Sequence, residues 1–317
     1  WETRLTEKDG TYTFELLARE KCGTSRPPLC FLPHRVADVT VVEGADLAPV
    51  ITDNFLLLPK PGQFEKGQTC RVVFRARRVV SDPAKPTAAE AARADALALL
   101  PAESRDPVAQ AIDRAWPNES ALVAALRTVL PDHREALVFL LMNMPPSDLR
   151  SLSKDFLLEN VELALRARDE APWGRSLPHD LFLNYVLPYA SINERRDNWR
   201  RDFCDRFLPL VRDCQTPGEA ARRLNEKVFP ALGVRYSGTQ RPKPDQSPTE
   251  SIEAKFASCT GLSILLVDAC RAVGVPARLA GIPLWTDKSG NHTWVEAWDG
   301  RQWRFTGAHS MSISSRA

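Results

Sequence analysis

Ala257 to Arg278 reads ASCTGLSILLVDACRAVGVPAR, and the fold turns on this stretch. Leu262, Leu265, Leu266, Ala269 and Val273 recur at helical spacing. Gly274 is a helix stop, and Pro276 forbids continuation. Ser258 stands where an N-cap belongs, which predicts a helix opening at Cys259. In a first helical turn the backbone N–H groups lack intrahelical partners, and the helix dipole is positive there. A thiolate is stabilised in that place, and the thiolate is the nucleophilic form. The other reading of Cys259 is a small apolar residue filling a gap in the core.

Gly290 to Trp298 reads GNHTWVEAW, followed by Asp299-Gly300 and by RQWRFT over Arg301 to Thr306. Asp-Gly between two aromatic-rich runs is a strong hairpin signal. With Asp299 and Gly300 as the two loop residues, Trp298 pairs with Arg301, Trp294 faces Phe305, and His292 faces Gly307. His292, Trp294, Glu296 and Trp298 share one face by the period of two. That aromatic face is expected to pack on the Cys259 helix, with His292 at the sheet end beside the thiol.

A Cys opening a helix, the exit RAVGVPAR, the run HTWVEAW and a Trp-bearing return strand together resemble the transglutaminase-like superfamily, bacterial type. The resemblance is specific over about residues 251–308 and weak elsewhere. It implies an α+β fold with a papain-like core: Cys on a helix packed on an antiparallel sheet, His and Asp on adjacent strands. By the same resemblance Cys259 is the nucleophile and His292 the general base and acid. The family's carboxylate stands a few residues after the return-strand Trp, which from Trp303 is the position of Gly307. The expected orienting carboxylate is therefore missing. Asp299 lies at the hairpin tip, more than about 20 Å along the strand from His292, and Glu296 lies about 13 Å away. The ring's acceptor is expected from a backbone carbonyl, from a polar side chain near Asn291, or from a carboxylate lost with the natural C-terminus. The last is favoured, and weak activity is the expectation.

A Cys-His pair performs acyl transfer: the thiolate attacks an amide carbonyl and His protonates the leaving amine. Water as acceptor makes a hydrolase, an amine makes a transglutaminase, and the resemblance favours peptidase-like hydrolysis of a protein or peptide substrate. Trp285 and Trp294 are candidates to shape a substrate groove, or else belong to an aromatic core. The rival reading is a catalytically weakened module that binds protein or glycan. A metal site on Cys259 and His292 lacks a third ligand at suitable spacing. No cofactor is implied.

The 317 residues carry a net charge of +2, with 44% hydrophobic and 26% charged residues, as in a globular protein with ample core material. So even a balance implies no polyanionic partner, and no nucleic-acid motif is present. No apolar run is long enough to span a membrane. The chain begins at Trp1 rather than Met, as expected of a fragment or a processed form that has lost a signal peptide. A secreted or periplasmic location is accordingly favoured over a cytoplasmic one. Cysteines stand at 22, 30, 70, 204, 214, 259 and 270, without a Cys-x-x-Cys pair. Cys22 and Cys30 bracket a Pro-rich loop and could bridge. Cys270 lies three turns after Cys259 and reads as core.

Residues 1–82 read as a β-rich, sandwich-like domain, with alternation over Thr11 to Leu16 and β-branched runs at Val36 to Val42 and Cys70 to Val80. His34 reads as a loop residue. Ser81 to Pro86 is a linker with two prolines. Residues 87–172 read as a helical region punctuated by Pro101, Pro107, Pro117, Pro131 and Pro145-Pro146. One helix is expected to open at Ser147-Asp148 and run to about Arg168, and His133 reads as a residue of a solvated helix face. Residues 173–317 read as the catalytic domain, with its C-terminus expected to be truncated and helices over Leu181 to Tyr189, Asn198 to Val211 and Glu219 to Phe229. The charge run Asn193 to Asp197 reads as a solvated turn; its other reading orders the catalytic helix through ion pairs. The polar, Pro-rich loop Thr239 to Thr249 reads as an active-site border or a plain connector.

Overall fold

The computed structural model of the chain describes residues 2–18, 29–32, 34–52, 55–58, 66–78, 87–286 and 289–308. It divides into two compact units, Trp1–Ala88 and Ala89–Ala317. The linker expected over Ser81 to Pro86 lies outside the described residues.

The first unit holds β1 (Glu2–Lys8), β2 (Thr11–Leu17), β3 (Leu29–Phe31), β4 (Val36–Glu43), β5 (Val50–Thr52), β6 (Phe55–Leu57) and β7 (Thr69–Arg78). They form antiparallel sheets of order β1-β2-β7-β4 and β3-β6-β5. Asp9 and Gly10 both have positive φ, at 51° and 74°, as a two-residue hairpin turn requires. Alternate residues Tyr12, Phe14 and Leu16 of β2 and Val72, Phe74 and Ala76 of β7 share a core with Leu56 of β6 and with Leu58 just beyond it. His34 is more than a loop residue: its Nε2 lies 2.5 Å from the Tyr12 hydroxyl. Cys30 is a free thiol, and Cys22 lies outside the described residues.

The second unit opens with α1 (Ala88–Ala98), α2 (Ala102–Asp113), α3 (Glu119–Thr128), α4 (Arg134–Asn143), α5 (Pro146–Leu149) and α6 (Lys154–Glu170). Proline punctuation holds except at Pro107, which α2 accommodates at the loss of one helical hydrogen bond. The helix expected from Ser147 is two helices. Ser153 caps the longer one, its side chain accepting from Phe156 N at 3.1 Å. Next come α7 (His179–Tyr185), α8 (Arg200–Val211), α9 (Pro217–Leu232) and α10 (Pro248–Ala254), then α11 (Cys259–Ala272) and a hairpin-bearing sheet. That sheet is antiparallel, of order β10 (Ala277–Ile282), β11 (His292–Trp298), β12 (Trp303–Thr306). The two-residue strands β8 (Arg235–Tyr236) and β9 (Phe256–Ala257) pair in parallel.

The fold is α+β: a helix packed on an antiparallel sheet, preceded by a helical region and a β unit. Residues 87–172 and 173–317 were expected as separate regions, but residues 89–317 form one compact unit. The cause is α6, which puts Leu157, Val161 and Ala164 into the core of the helical region and Leu163 into the core around α11. Trp173 adds a hydrogen bond from Nε1 to Gly274 O at 2.8 Å. Gly274 has φ +77°, and a Cβ there would sit 2.7 Å from Ala167 O, so only glycine lets α6 approach the end of α11.

The charge run is solvated only in part: Asn193 and Arg195 are exposed, while Glu194 is buried and Arg196 and Asp197 are half-buried. Glu194 is 3% exposed and accepts from Ser191 N and Ile192 N at 2.6 and 2.8 Å. Arg196 donates to Asp148 Oδ2 at 2.8 Å, and the Tyr189 hydroxyl donates to the same oxygen at 2.7 Å. The partner lies far upstream on α5, which is why local sequence reads the run as surface. Asp197 accepts from Thr249 N at 2.8 Å and so ties the run to α10, just ahead of α11.

Arg200, 2% exposed, is the other tie. Its Nε donates to Asn160 Oδ1 at 2.7 Å and its Nη1 to Arg271 O at 3.1 Å. Its Nη2 donates to the carbonyls of Val186, Leu187 and Pro188 at 3.0, 3.1 and 3.0 Å. One guanidinium thus gathers the ends of α7 and α11 onto α6. Burial draws its pKa down to about 10, which leaves it charged at neutral pH.

Candidate functional site

The site is built on the first turn of α11. Upstream, Ser247 and Glu250 form a capping box that opens α10, and Lys255 ends it with φ 62°. Two residues of β9 follow, then Ser258. Ser258 Oγ accepts from Gly261 N at 3.0 Å and donates to Pro244 O. It is therefore the N-cap that the sequence predicts, and it holds the Pro-rich loop against the helix start. Cys259 is the first helical residue and is half-buried. From Gly261 to Ala272 every residue of α11 is buried, because α6, α8 and α9 cover one side and the sheet the other.

The sheet meets α11 through its small and β-branched face. Thr293, Val295 and Ala297 alternate along β11, and the last two are buried in the core with α11. The Thr260 and Thr293 hydroxyls are 2.9 Å apart, and Ser263 Oγ donates to Thr293 O at 3.3 Å. Thr260 follows Cys259 and Thr293 follows His292, so the thiol-bearing and imidazole-bearing residues stand at the same end of the helix–sheet layer. The aromatic face was expected to pack on α11; it is the opposite one. Indoles are too wide for the close approach of helix to strand that Thr293, Val295 and Ala297 permit.

On that opposite face the rings form a ladder. Trp285 and His292 have centroids 5.7 Å apart at 21°, and His292 and Trp294 are 6.0 Å apart at 34°. Trp294 and Phe305 follow at 6.0 Å. Both expected substrate-side residues, Trp285 and Trp294, thus flank His292. Glu296, on the same face, is engaged elsewhere, accepting from Arg278 Nε at 2.8 Å and Nη2 at 2.7 Å. Arg278 in turn lies 4.2 Å over Trp303. Among the described residues no hydrogen bond or ion pair reaches the His292 ring.

The hairpin register differs from the expected one. The loop has four residues, and Trp298 pairs with Trp303, Glu296 with Phe305 and Val295 with Thr306. Asp299 is the cause. Its Oδ1 accepts from Arg301 N at 2.8 Å and Gln302 N at 2.9 Å, and its Oδ2 from Arg304 at 2.7 Å. A side chain that caps two loop N–H groups stabilises the wider turn over the two-residue one. The flanking Trp298 and Trp303 were the available signal, since aromatic residues favour cross-strand pairs. Continuing this register sets Gly307 opposite Trp294, not His292. Gly307 is diagonal to His292, in the relation that Phe305 has to Trp294.

Burial pushes up the thiols of Cys30, Cys70, Cys204, Cys214 and Cys270, the last to about 12. Cys270 is core, as expected. Among the described residues no group of three or more His, Cys, Asp or Glu side chains could hold a metal ion. No helix among them is long and apolar enough to cross a membrane.

A helix that opens on Cys259, packed on an antiparallel sheet with His292 at the start of its central strand, is the arrangement found at the site. The family model described as the transglutaminase-like superfamily matches residues 206–306, from within α8 to the end of β12. This segment is similar to a transglutaminase-like core. No curated protein matches the chain. Among solved structures, one described as a candidate cysteine protease from Cytophaga hutchinsonii aligns with 94% of this chain and 71% of its own, at 12% identity and TM-score 0.23.

Proposed function

We propose that this chain catalyses thiol-dependent acyl transfer on amide bonds of a protein or peptide, with Cys259 as nucleophile and His292 as general base and acid. The observation that supports the reading is the Thr260–Thr293 hydroxyl contact, which joins the residues that follow Cys259 and His292 at one end of two packed elements. The transglutaminase-like match over residues 206–306 supports the general thiol-enzyme kind. Cys259 Sγ attacks the carbonyl carbon, and the developing oxyanion is stabilised at the positive end of α11. His292 gives its proton to the leaving nitrogen as the C–N bond breaks, and a thioester remains. Water then attacks the thioester while His292 takes a proton, releasing a carboxylic acid and the thiol. An amine in place of water gives transamidation. Hydrolysis is the favoured outcome, with Trp285 and Trp294 as walls of the substrate groove.

A second reading, a catalytically weakened module that binds protein or glycan, has one observation in its favour. Position 307 is glycine, so no side chain reaches from there toward His292. One experiment separates the two. Iodoacetamide at neutral pH should label Cys259 much faster than the other cysteines, and Cys259→Ala should abolish amide cleavage or transfer without changing the melting temperature. Amide turnover that survives Cys259→Ala refutes the assignment.

A further inference from the structure

Among the described residues His292 has no hydrogen-bonding or ionic partner of the kind that serves a general base. An imidazole works as base and acid when something fixes its orientation and stabilises its cationic form. Glu296 is held by Arg278, Asp299 is held in the turn, and position 307 has no side chain. Among the described residues, the groups against the ring are aromatic. The Trp285 indole lies within 21° of parallel to it at 5.7 Å, the range of an offset stack. Trp285 also has a fixed base: its backbone N–H donates to Gly290 O at 3.0 Å, ahead of β11. Gly290 takes φ +102°, a conformation that suits glycine at such a turn. Trp294, next but one on the strand, is the second ring at 6.0 Å.

We propose that Trp285 is a positioning residue for His292: its indole face holds the imidazole in place and stabilises the imidazolium formed when Cys259 gives up its proton. The inference rests on the Cys259–His292 reading above. The step it serves is one proton transfer. The Cys259 S–H bond breaks, an N–H bond forms on His292, and a thiolate–imidazolium pair results with no change in oxidation state. A cation within about 6 Å of an indole centroid is attracted by the ring quadrupole, whereas a neutral imidazole gains only stacking. The indole therefore favours the ion pair over the neutral pair, as an orienting carboxylate would.

The test is the rate of Cys259 alkylation by iodoacetamide at pH 7, which needs no substrate. Trp285→Leu should slow it about five-fold, the lower half of the cation–π range expressed as a rate. Trp285→Phe keeps a π face and should stay close to wild type. Gly307→Asp adds a carboxylate on the diagonal that Phe305 already uses to reach Trp294, and should restore the rate in the Trp285→Leu background. Trp285→Leu as fast as wild type overturns the inference, because a role confined to substrate binding leaves this assay unmoved. So does failure of Gly307→Asp to restore the rate in a double variant that melts like wild type. If that double variant does not fold, the Leu–Phe comparison decides, and equal slowing by both overturns the inference. Wild-type Cys259 that is no faster than Cys30 and Cys70 overturns the nucleophile reading and this inference with it. A fast wild type with an unchanged Leu variant overturns the inference alone.

Discussion

Arg200→Met should loosen the second unit at its centre. The substitution keeps an apolar stem of similar length and removes a guanidinium that donates to Asn160 Oδ1, to Arg271 O and to the carbonyls of Val186, Leu187 and Pro188. A buried acceptor left unsatisfied costs roughly 1–3 kcal/mol, so the gross loss is on the order of 10 kcal/mol. Two effects offset it. Burial of the charge is no longer required: the fall of the Arg200 pKa from 12.5 to about 10 corresponds to a desolvation cost of about 3 kcal/mol. The exposed carbonyls at the ends of α7 and α11 also recruit water. The expected net loss is about 3–5 kcal/mol, the usual cost of leaving buried polar groups without their charged partner. For a unit of this size that is a fall of roughly 10–15 °C in melting temperature. Thermal unfolding followed by far-UV circular dichroism measures it. Arg206→Met is the control: Arg206 meets Asp202 at 2.7 Å on an exposed face of the same helix and should cost less than about 0.5 kcal/mol. If Arg200→Met loses no more than that control, the carbonyls need no guanidinium and the reasoning fails.

Thr293→Val removes one hydroxyl of the Thr260–Thr293 pair while keeping its shape. It should cost about 1 kcal/mol in stability and slow Cys259 alkylation roughly ten-fold, while Thr293→Ser keeps both; a Val variant with unchanged reactivity shows that the contact does not set the site. Asp268, 0% exposed in the middle of α11, has both carboxylate oxygens unpaired, and burial raises its pKa well above 3.8. Between 3.8 and that raised value the folded chain holds a proton which the unfolded chain gives up, so the wild type loses stability as pH rises through the window. Asp268→Asn should accordingly melt higher than wild type at neutral pH and equal it below about pH 3.8, the ordinary carboxylate value. A difference between the two that is the same at every pH removes Asp268 as its source.

What was legible in the sequence was what local rules govern. Ser258 as cap, Cys259 as first residue, the periodic leucines and the stop at Gly274 all rest on contacts within one helix and its ends. The alternation of His292 to Trp298 gave the strand, but not which face lay inside. Bulk argued for the tryptophans, while the structure uses Val295 and Ala297 because close helix–sheet packing favours small side chains. Asp-Gly marked the hairpin, yet Asp299 chose the turn length by bonding two N–H groups beyond it. Arg200, Glu194 and Arg196 were illegible for a different reason. Charged residues read as surface unless their partners are visible; those of Arg200 and Arg196 are Asn160, Asp148 and helix-end carbonyls brought near only by the fold, while Glu194 turns inward onto the N–H groups of Ser191 and Ile192.

The wide turn at Asp299 also limits where this chain can grow. Hairpin tips are ordinarily the places where extra residues are tolerated. This one is seated: a Cβ on Gly218 of α9 would lie 3.0 Å from Asp299 Cβ, and one on Gly300 would lie 3.8 Å from Pro217 Cδ. An insertion there would lift the tip off α9. The opposite end of the sheet has the space, since Leu284 is 67% exposed at the head of the loop that carries Trp285 into β11. Change in length therefore falls on the loop that carries Trp285 beside His292, while the helix that bears Cys259 stays untouched.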